Sequence, residues 1–442
     1  TGADSSWAAQ APAVQKKRRT ESGIQTRGRS RIVKKELELY VHIPFCVKKC
    51  AYCDFLSGPA GEAERAAYTE ALLREIKGRR EAYMDYRVST VFLGGGTPSV
   101  LTGEETARIF HALRESFDIS RDAEITMEVN PGTVTGEKAA AWRQCGVNRL
   151  SIGLQSADDR ELEMLGRIHT FREFLDTWET VRTAGFCNVN VDLISAIPGQ
   201  TEESWERTLR TVAELSPEHL SAYSLIIEEG TPFHETYGSG DNDGHTAEAP
   251  PLPDEDTERQ IYQMTGEILK TYGYHRYEIS NYAKQGYECR HNLGYWERKQ
   301  YLGLGLGAAS LVEEQRFHNT ADMRKYMEIF GERSRGLAVH PGAGQPMNGE
   351  TGTALPGPAA EETETLSVED RMEEFMFLGL RKTEGISCRR FRENFGRPVE
   401  EVYGEQTARF ESMGLLERDG DRLRLTERGL DVSNAVFAEF IL

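Results

Sequence analysis

The chain has 442 residues, enough for one large domain with a smaller companion. Its 71 acidic against 53 basic residues give a net charge of -18 at pH 7, a balance that excludes wrapping nucleic acid with the bulk of the surface. No run approaches the ~20 apolar residues that span a bilayer. Seven cysteines, an odd number with no secretory h-region before them, exclude a disulfide framework and suit a reducing cytoplasm.

Residues 1–36 read as a basic, disordered tail, with nine Lys/Arg against two acids in the first 35. Such a tail is normally solvated, and its alternative use is attachment to an anionic membrane surface. From 37 to 236 short β-rich runs alternate with stretches of helical apolar spacing. The runs are 37–43 (LELYVHI), 90–94 (TVFLG), 124–130 (EITMEVN), 149–155 (RLSIGLQ), 188–194 (NVNVDLI) and 220–226 (LSAYSLI). Between them Ala67, Leu72, Leu73 and Ile76, or Ile109, Leu113 and Phe117, recur at helical intervals. Six βα units result. Right-handed crossovers between parallel strands curl such units into a barrel or an open part-barrel, an α/β fold of TIM type with its working face at the C-terminal strand ends.

Residues 237–256 form an acidic, Pro/Gly-rich loop, and 257–330 extend the barrel. Residues 331–365 hold seven Gly and four Pro and are expected to be a disordered insertion. Beyond it, 366–442 end in a strand (GLLERD), a turn at Asp419-Gly420, a second strand (RLRLT) and a last helix (RGLDVSNAVFAEFIL), an α+β pattern resembling a winged helix. Its 16 acids against 12 bases argue for packing rather than DNA reading.

Three of the seven cysteines, Cys46, Cys50 and Cys53, stand as C-x3-C-x2-C with no fourth close behind. Structural zinc closes with four ligands, and the remaining Cys145, Cys187, Cys289 and Cys388 are scattered; His42 is the nearby residue that could complete such a site. A 4Fe-4S cluster normally takes four thiolates. With three, one iron keeps open positions, which the amine and carboxylate of S-adenosylmethionine can fill, and a reduced cluster beside a sulfonium is the starting point of radical chemistry.

The motif with Tyr52 before its third cysteine resembles that of radical S-adenosylmethionine proteins. The wording YVHIPFC, GGGTPS, EVNP, GLQS, GRIH, VDLI and IPGQT, from Tyr40 onward, is similar to the coproporphyrinogen dehydrogenase (HemN-like) group within them. That resemblance implies a partial barrel of six βα units, in agreement with the independent count, a cluster on the three cysteines, and S-adenosylmethionine beside it. It puts Tyr40 near the cofactor, where the bland reading is a half-buried strand tyrosine. It puts Gly95, Gly96 and Thr97 in a turn whose backbone reaches the methionine end. Glu128 and Asp192 are carboxylates among apolar neighbours, which require partners when buried; an amine or ribose hydroxyls would serve. Gln155 and Arg167 complete the set by resemblance, although Arg167 alone would read equally well as a surface ion-pair residue. Together these residues are expected around one cavity.

The group divides into oxygen-independent coproporphyrinogen III oxidases, in which a deoxyadenosyl radical attacks the propionate side chains, and haem chaperones of the HemW branch. The oxidase has a further cysteine two positions after its third cluster cysteine, where this chain has Phe55; the chaperone branch has H-N-x-x-Y-W, and this chain has HNLGYW from His291 to Trp296. By this resemblance the chain carries haem non-covalently, with His291 as an axial ligand whose affinity would weaken below the ordinary imidazole pKa of ~6.5. Cys289 is either a second haem ligand or an apolar filler. The implied partners are haem and haem-accepting proteins, including membrane respiratory enzymes, and a homodimer is compatible. No catalytic residue is assigned, and an oxidase or an enzyme acting on another tetrapyrrole are the alternatives.

Overall fold

Each long strand of this protein alternates a wholly apolar set with a polar one. In β1 (Lys35–Ile43), Leu37, Leu39, Val41 and Ile43 are buried, and the intervening residues are Glu38, Tyr40 and His42. Strands β2 (Tyr86–Gly95), β3 (Asp118–Val129), β4 (Arg149–Gln155), β5 (Val189–Ser195) and β6 (His219–Ser224) repeat the pattern. Because successive side chains leave a strand on opposite faces, each strand can bury one set against helices and turn the other inward.

The computed structural model describes residues 34–238, 249–331 and 356–441. Nearly all of the basic tail, the middle of the acidic loop and most of the Gly/Pro-rich insertion lie outside the described residues. The apolar sets meet α1 (Glu62–Gly78), α2 (Gly103–Ser116), α3 (Gly136–Gln144), α4 (Phe171–Thr183), α5 (Glu202–Glu214) and α6 (Glu255–Thr271) in one core containing Leu72, Ile109, Trp142, Phe174 and Trp205. Capping boxes at Thr102 and Thr170 fix where two of these helices begin. The six βα units stand as the sequence implies, although β2 and β3 begin four and six residues before the runs read there.

The sheet is larger than six strands. After β7 (His275–Arg276) and β8 (Asn281–Ala283) come β9 (Tyr301–Leu304), β10 (Ala309–Val312), β11 (Gln315–Asn319) and β12 (Ala360–Thr365). The order is β12-β11-β10-β9-β1-β2-β3-β4-β5-β6-β8-β7. β9 lies parallel to β1, with Glu38 opposite Tyr301, and the outer strands are antiparallel. Among the described residues no ladder joins β12 to β7, so the barrel is open. The expectation of an insertion throughout 331–365 needs correction at its end: Ala360–Thr365 pairs with β11. This strand reads AEETET, with no apolar face, because it is an edge strand whose side chains face water.

Residues 366–441 build a second core around Met376, Phe391, Tyr403, Leu423 and Phe440, with a small sheet of β13 (Ile386–Ser387), β14 (Leu416–Asp419) and β15 (Arg422–Leu425). Gly420 turns the hairpin with φ +58°. The last helix is two short ones, Glu427–Asp431 and Ser433–Ala438, interrupted at β-branched Val432, which adopts φ -122° and ψ 26°. Between this core and the barrel lies α7 (Arg290–Trp296), the HNLGYW helix. The Arg381 guanidinium sits 4.4 Å above the Trp296 ring, Lys382 reaches Glu297 at 3.3 Å, and Arg298 Nε donates to Glu374 at 2.6 Å. Arg316 donates to the other oxygen of Glu374.

Glu374 therefore carries two arginines while buried. Glu374→Ala is expected to cost ~3 kcal/mol, the low end for breaking a buried pair, because Glu314 still holds Arg298 at 2.8 Å. Arg397→Ala, which removes an exposed pair with Glu401, should stay within ~0.5 kcal/mol. Urea midpoints of the two variants check the contrast.

Candidate cluster and cofactor site

Cys46 closes a two-residue strand just beyond β1, and Cys50 and Cys53 follow in a loop; all three are free and half-buried. Backbone bonds pin this loop: Thr97 N–H donates to Phe45 O at 2.7 Å, Ala51 N–H to Leu165 O at 3.1 Å, and Phe233 N–H to Ala51 O at 3.1 Å. Gly96 is required by this approach, since a Cβ there would lie 2.6 Å from Phe45 O. The Cys53 thiol is pushed up by burial and further by Cys50 and Cys46. Two of the sulfurs receive hydrogen bonds: Thr97 Oγ1 donates to Cys46 Sγ at 3.4 Å and Arg167 Nη1 to Cys50 Sγ at 3.5 Å.

Among the described residues no three His, Cys, Asp or Glu side chains converge on one metal position. A zinc ion needs all its sulfurs ~2.3 Å from one centre, whereas in a cluster each thiolate holds its own iron. His42 is also engaged: Nε2 meets Leu56 O at 2.9 Å, so Nε2 donates and Nδ1 accepts from the Tyr40 hydroxyl at 3.0 Å. Three thiols on one short loop, with the nearby imidazole engaged elsewhere, are one ligand short of a closed zinc site and suit a cluster with an open iron.

The inward faces of the strands line a cavity of about 220 Å³ bordered by Tyr40, Phe92, Glu128, Asp192, His291 and Tyr295 among others. Glu128 accepts from Gly95 N–H at 3.1 Å, and burial, then the Asp192 charge, push its carboxyl up to about 8. Asp192 accepts from Ser151 Oγ at 2.9 Å and Asn190 Nδ2 at 2.8 Å and is raised by burial. A cationic amine or sulfonium would offset the Asp192 charge that disfavours ionised Glu128.

The sequence-derived set is divided between two recesses. Tyr40, Glu128 and Asp192 line the interior cavity; Arg167 lines a recess of about 20 Å³ with Cys50, Asn130 and His169. Gly95 and Thr97 connect the two, through Glu128 on one side and Cys46 on the other. Gln155 lies outside the lining of both, at a bulge between β4 and β5 with φ +77°, a strained backbone for a non-glycine residue.

His291 is 1% exposed on the cavity wall. Its Nδ1 is 2.7 Å from Thr90 Oγ1 and its Nε2 is 3.0 Å from the Tyr295 hydroxyl, so neither ring nitrogen is free in this arrangement. Burial, then Arg149, push it down to about 3; the titration near 6.5 expected from sequence is therefore moved far below neutrality. The cavity is also smaller than the ~300–1,000 Å³ of sites that take drug-sized ligands. Cys289 is fully buried beside Glu124 and Tyr277 and pushed up to about 12 by burial, which agrees with a filler.

Arg149, Ser151, Asn190, Ser221 and Tyr223 also line the cavity and were not anticipated. The signal was available in their positions, alternate to the apolar set on β4, β5 and β6.

Below the cavity Glu38 is wholly buried, neither oxygen has a hydrogen-bond partner, and α7 passes so close that a Cβ at Gly294 would fall on its carboxyl. Burial pushes it up to about 9 from an ordinary 4.5; with His291 neutral, their 3.8 Å approach is no ion pair. Between those two values the folded chain holds a proton that the unfolded chain has released, so this residue's contribution to stability falls as pH rises, by up to ~1.4 kcal/mol per pH unit. Glu38→Gln should therefore match the parent near pH 5 and resist urea better than the parent at pH 8. Equal effects at both pH values would show that the carboxyl is not held neutral.

Comparison with known proteins follows the same lines. A model of the radical SAM superfamily matches residues 40–212, and one of the HemN C-terminal domain matches 366–432. Heme chaperone HemW of Lactococcus lactis is 33% identical over 411 residues, 93% of this chain and 99% of the relative; that of Bacillus subtilis is 33% identical over 408 residues, 91% and 98%. The solved structure of coproporphyrinogen III oxidase (HemN) from Escherichia coli superposes with a TM-score of 0.74 at 23% identity, covering 93% of this chain and 91% of that one, and establishes the shared fold. The chain belongs to the HemW family of radical SAM proteins.

Proposed function

We propose that this protein is a haem chaperone that holds a 4Fe-4S cluster on Cys46, Cys50 and Cys53, S-adenosylmethionine beside it, and haem non-covalently for delivery to haem proteins. The observation that carries this reading is the end-to-end likeness to proteins named heme chaperone HemW. The site supports it with three half-buried free thiols, two of them already hydrogen-bonded. Tyr40, Glu128 and Asp192 would hold the polar groups of S-adenosylmethionine on the cavity side and Arg167 on the thiol side, with Gly95 to Thr97 between them and Gln155 supporting from the bulge between β4 and β5. When bound, a reduced cluster supplies an electron to the sulfonium.

Haem is assigned to His291 in a state where α7 has moved, because the closed arrangement occupies both ring nitrogens. Recipients would include membrane respiratory enzymes. No described helix is long and apolar enough to cross a membrane, so the two would meet by docking. Seven free cysteines suit a reducing cytoplasm.

Anaerobic reconstitution should give a 4Fe-4S spectrum that changes on adding S-adenosylmethionine and is abolished by alanine at any of the three cysteines. Stoichiometric zinc without iron would refute the cluster.

Haem titration followed by the Soret band separates the remaining roles. His291→Ala should lose at least tenfold in affinity with the cluster intact, since the axial ligand is gone. Tyr295→Phe, which frees Nε2, should bind more tightly than the parent. A parent-like His291→Ala variant would place haem elsewhere, and coproporphyrinogen decarboxylation at enzyme-like rates would replace the chaperone with the oxidase.

A further inference from the structure

The residue after β3, Asn130, belongs to neither the ligand set nor the cavity wall, yet it stands between the two hydrogen bonds that reach the sulfurs. Its Nδ2 donates to Thr97 Oγ1 at 2.8 Å, and its Oδ1 accepts from Arg167 Nη2 at 2.9 Å. Arginine only donates, which fixes the amide oxygen toward Arg167 and the nitrogen toward Thr97. Thr97, having accepted from the amide, directs its own proton to Cys46 Sγ at 3.4 Å, and Arg167 gives a second N–H to Cys50 Sγ at 3.5 Å. One side chain thus connects Cys46 to Cys50 through Thr97 on one arm and Arg167 on the other.

The backbone of Asn130 is held as well. Asn130 N–H donates to Ser99 Oγ at 3.1 Å, and its carbonyl accepts from Thr133 Oγ1 at 2.7 Å and Thr133 N–H at 3.2 Å. Ser99 and Thr133 are themselves 2.6 Å apart. Pro131 disfavours helical backbone at the residue before it. Opposite, Gly153 leaves the space: a Cβ there would lie 2.9 Å from Asn130 Oδ1.

We propose that Asn130 is a positioning residue that sets the hydrogen bonds on two of the three cluster sulfurs together and thereby raises the reduction potential of the cluster. The inference rests on the cluster reading of Cys46, Cys50 and Cys53. Its physical basis is that donors to sulfur stabilise the more negative, reduced cluster, so a site that loses them becomes harder to reduce. Aspartate at this position would keep the shape and reverse the polarity. It would face Thr97 with an acceptor, drawing the threonine proton away from Cys46.

The test is a redox titration of the anaerobically reconstituted full chain, read by electron paramagnetic resonance, in the parent, Asn130→Ala, Asn130→Asp and Thr97→Val. All three variants should shift to more negative potential. For Asn130→Ala the expected fall in the reduced-to-oxidised ratio at a fixed potential is ~tenfold, about 59 mV for one electron. Asn130→Ala combined with Thr97→Val should fall short of the sum, since both remove the same bond to Cys46. Unchanged midpoints at unchanged iron content would overturn the proposal. So would a variant that loses iron while the remaining clusters keep the parent midpoint, because Asn130 would then serve structure alone. Should Asn130→Ala fail to fold, the isosteric Asn130→Asp carries the same test. A parent that takes up no iron would refute the cysteine site itself, and the inference with it.

Discussion

The structure depends on strands whose two faces do different work. Parallel sheets between helices usually read as continuous apolar runs, because both faces are buried in hydrocarbon. Here only the outward set of Leu37, Leu39, Val91, Ile125, Ile152 and Val191 meets helices. The inward set holds Tyr40, Glu128, Arg149, Asn190 and Asp192 around one cavity. Every polar group placed there must find a partner or change its charge. Glu128 does both, accepting from a backbone amide and holding its proton to a higher pH. The cavity is therefore a site by construction: polar side chains from several strands gathered on one wall, with two carboxyls that burial holds toward their protonated form.

That division explains what was legible in the sequence. The apolar half of each long strand is strong enough to reveal six βα units, and the clustering of Cys46, Cys50 and Cys53 reveals the thiol loop. The Asp419-Gly420 hairpin was visible from its turn residues. The strands from Tyr301 to Asn319 were not, being four or five residues long and joined by a glycine-rich turn and by a Glu313-Glu314 turn that carries no turn signal. Nor was Ala360–Thr365, whose acidic edge carries no pattern. Short strands are specified by the neighbours they pair with more than by their own composition.

His291 shows the limit for a site residue. Its motif is local, but its partners are not: Thr90 lies 201 positions earlier, and nothing in HNLGYW announces that the ring will be stacked on Phe92 at 5.1 Å with both nitrogens engaged. The motif is shared between two tasks. His291 and Tyr295 face the cavity, Gly294 makes room for Glu38, and Trp296 receives Arg381 from the C-terminal core. The single helix α7 is thus both the floor of the site and the seat of the second core.

The pairing of β9 with β1 places the first strand's second neighbour about two thirds of the way along the chain, Tyr301 against Glu38. On a ribosome adding ~5–20 residues per second, the two are separated by tens of seconds of synthesis. For that interval β1 has β2 on one side and an open edge on the other, a position from which strands recruit unrelated partners. The sequence at that edge is well suited to waiting. Glu38 lies in the exposed stretch and, still in water, carries a negative charge that discourages another strand from adding there. Only when α7 closes over it does the same carboxyl become buried and take up a proton. The carboxyl that weakens the finished fold at neutral pH is thus, in the unfolded chain, an ordinary ionised side chain on the strand that waits longest for its neighbour.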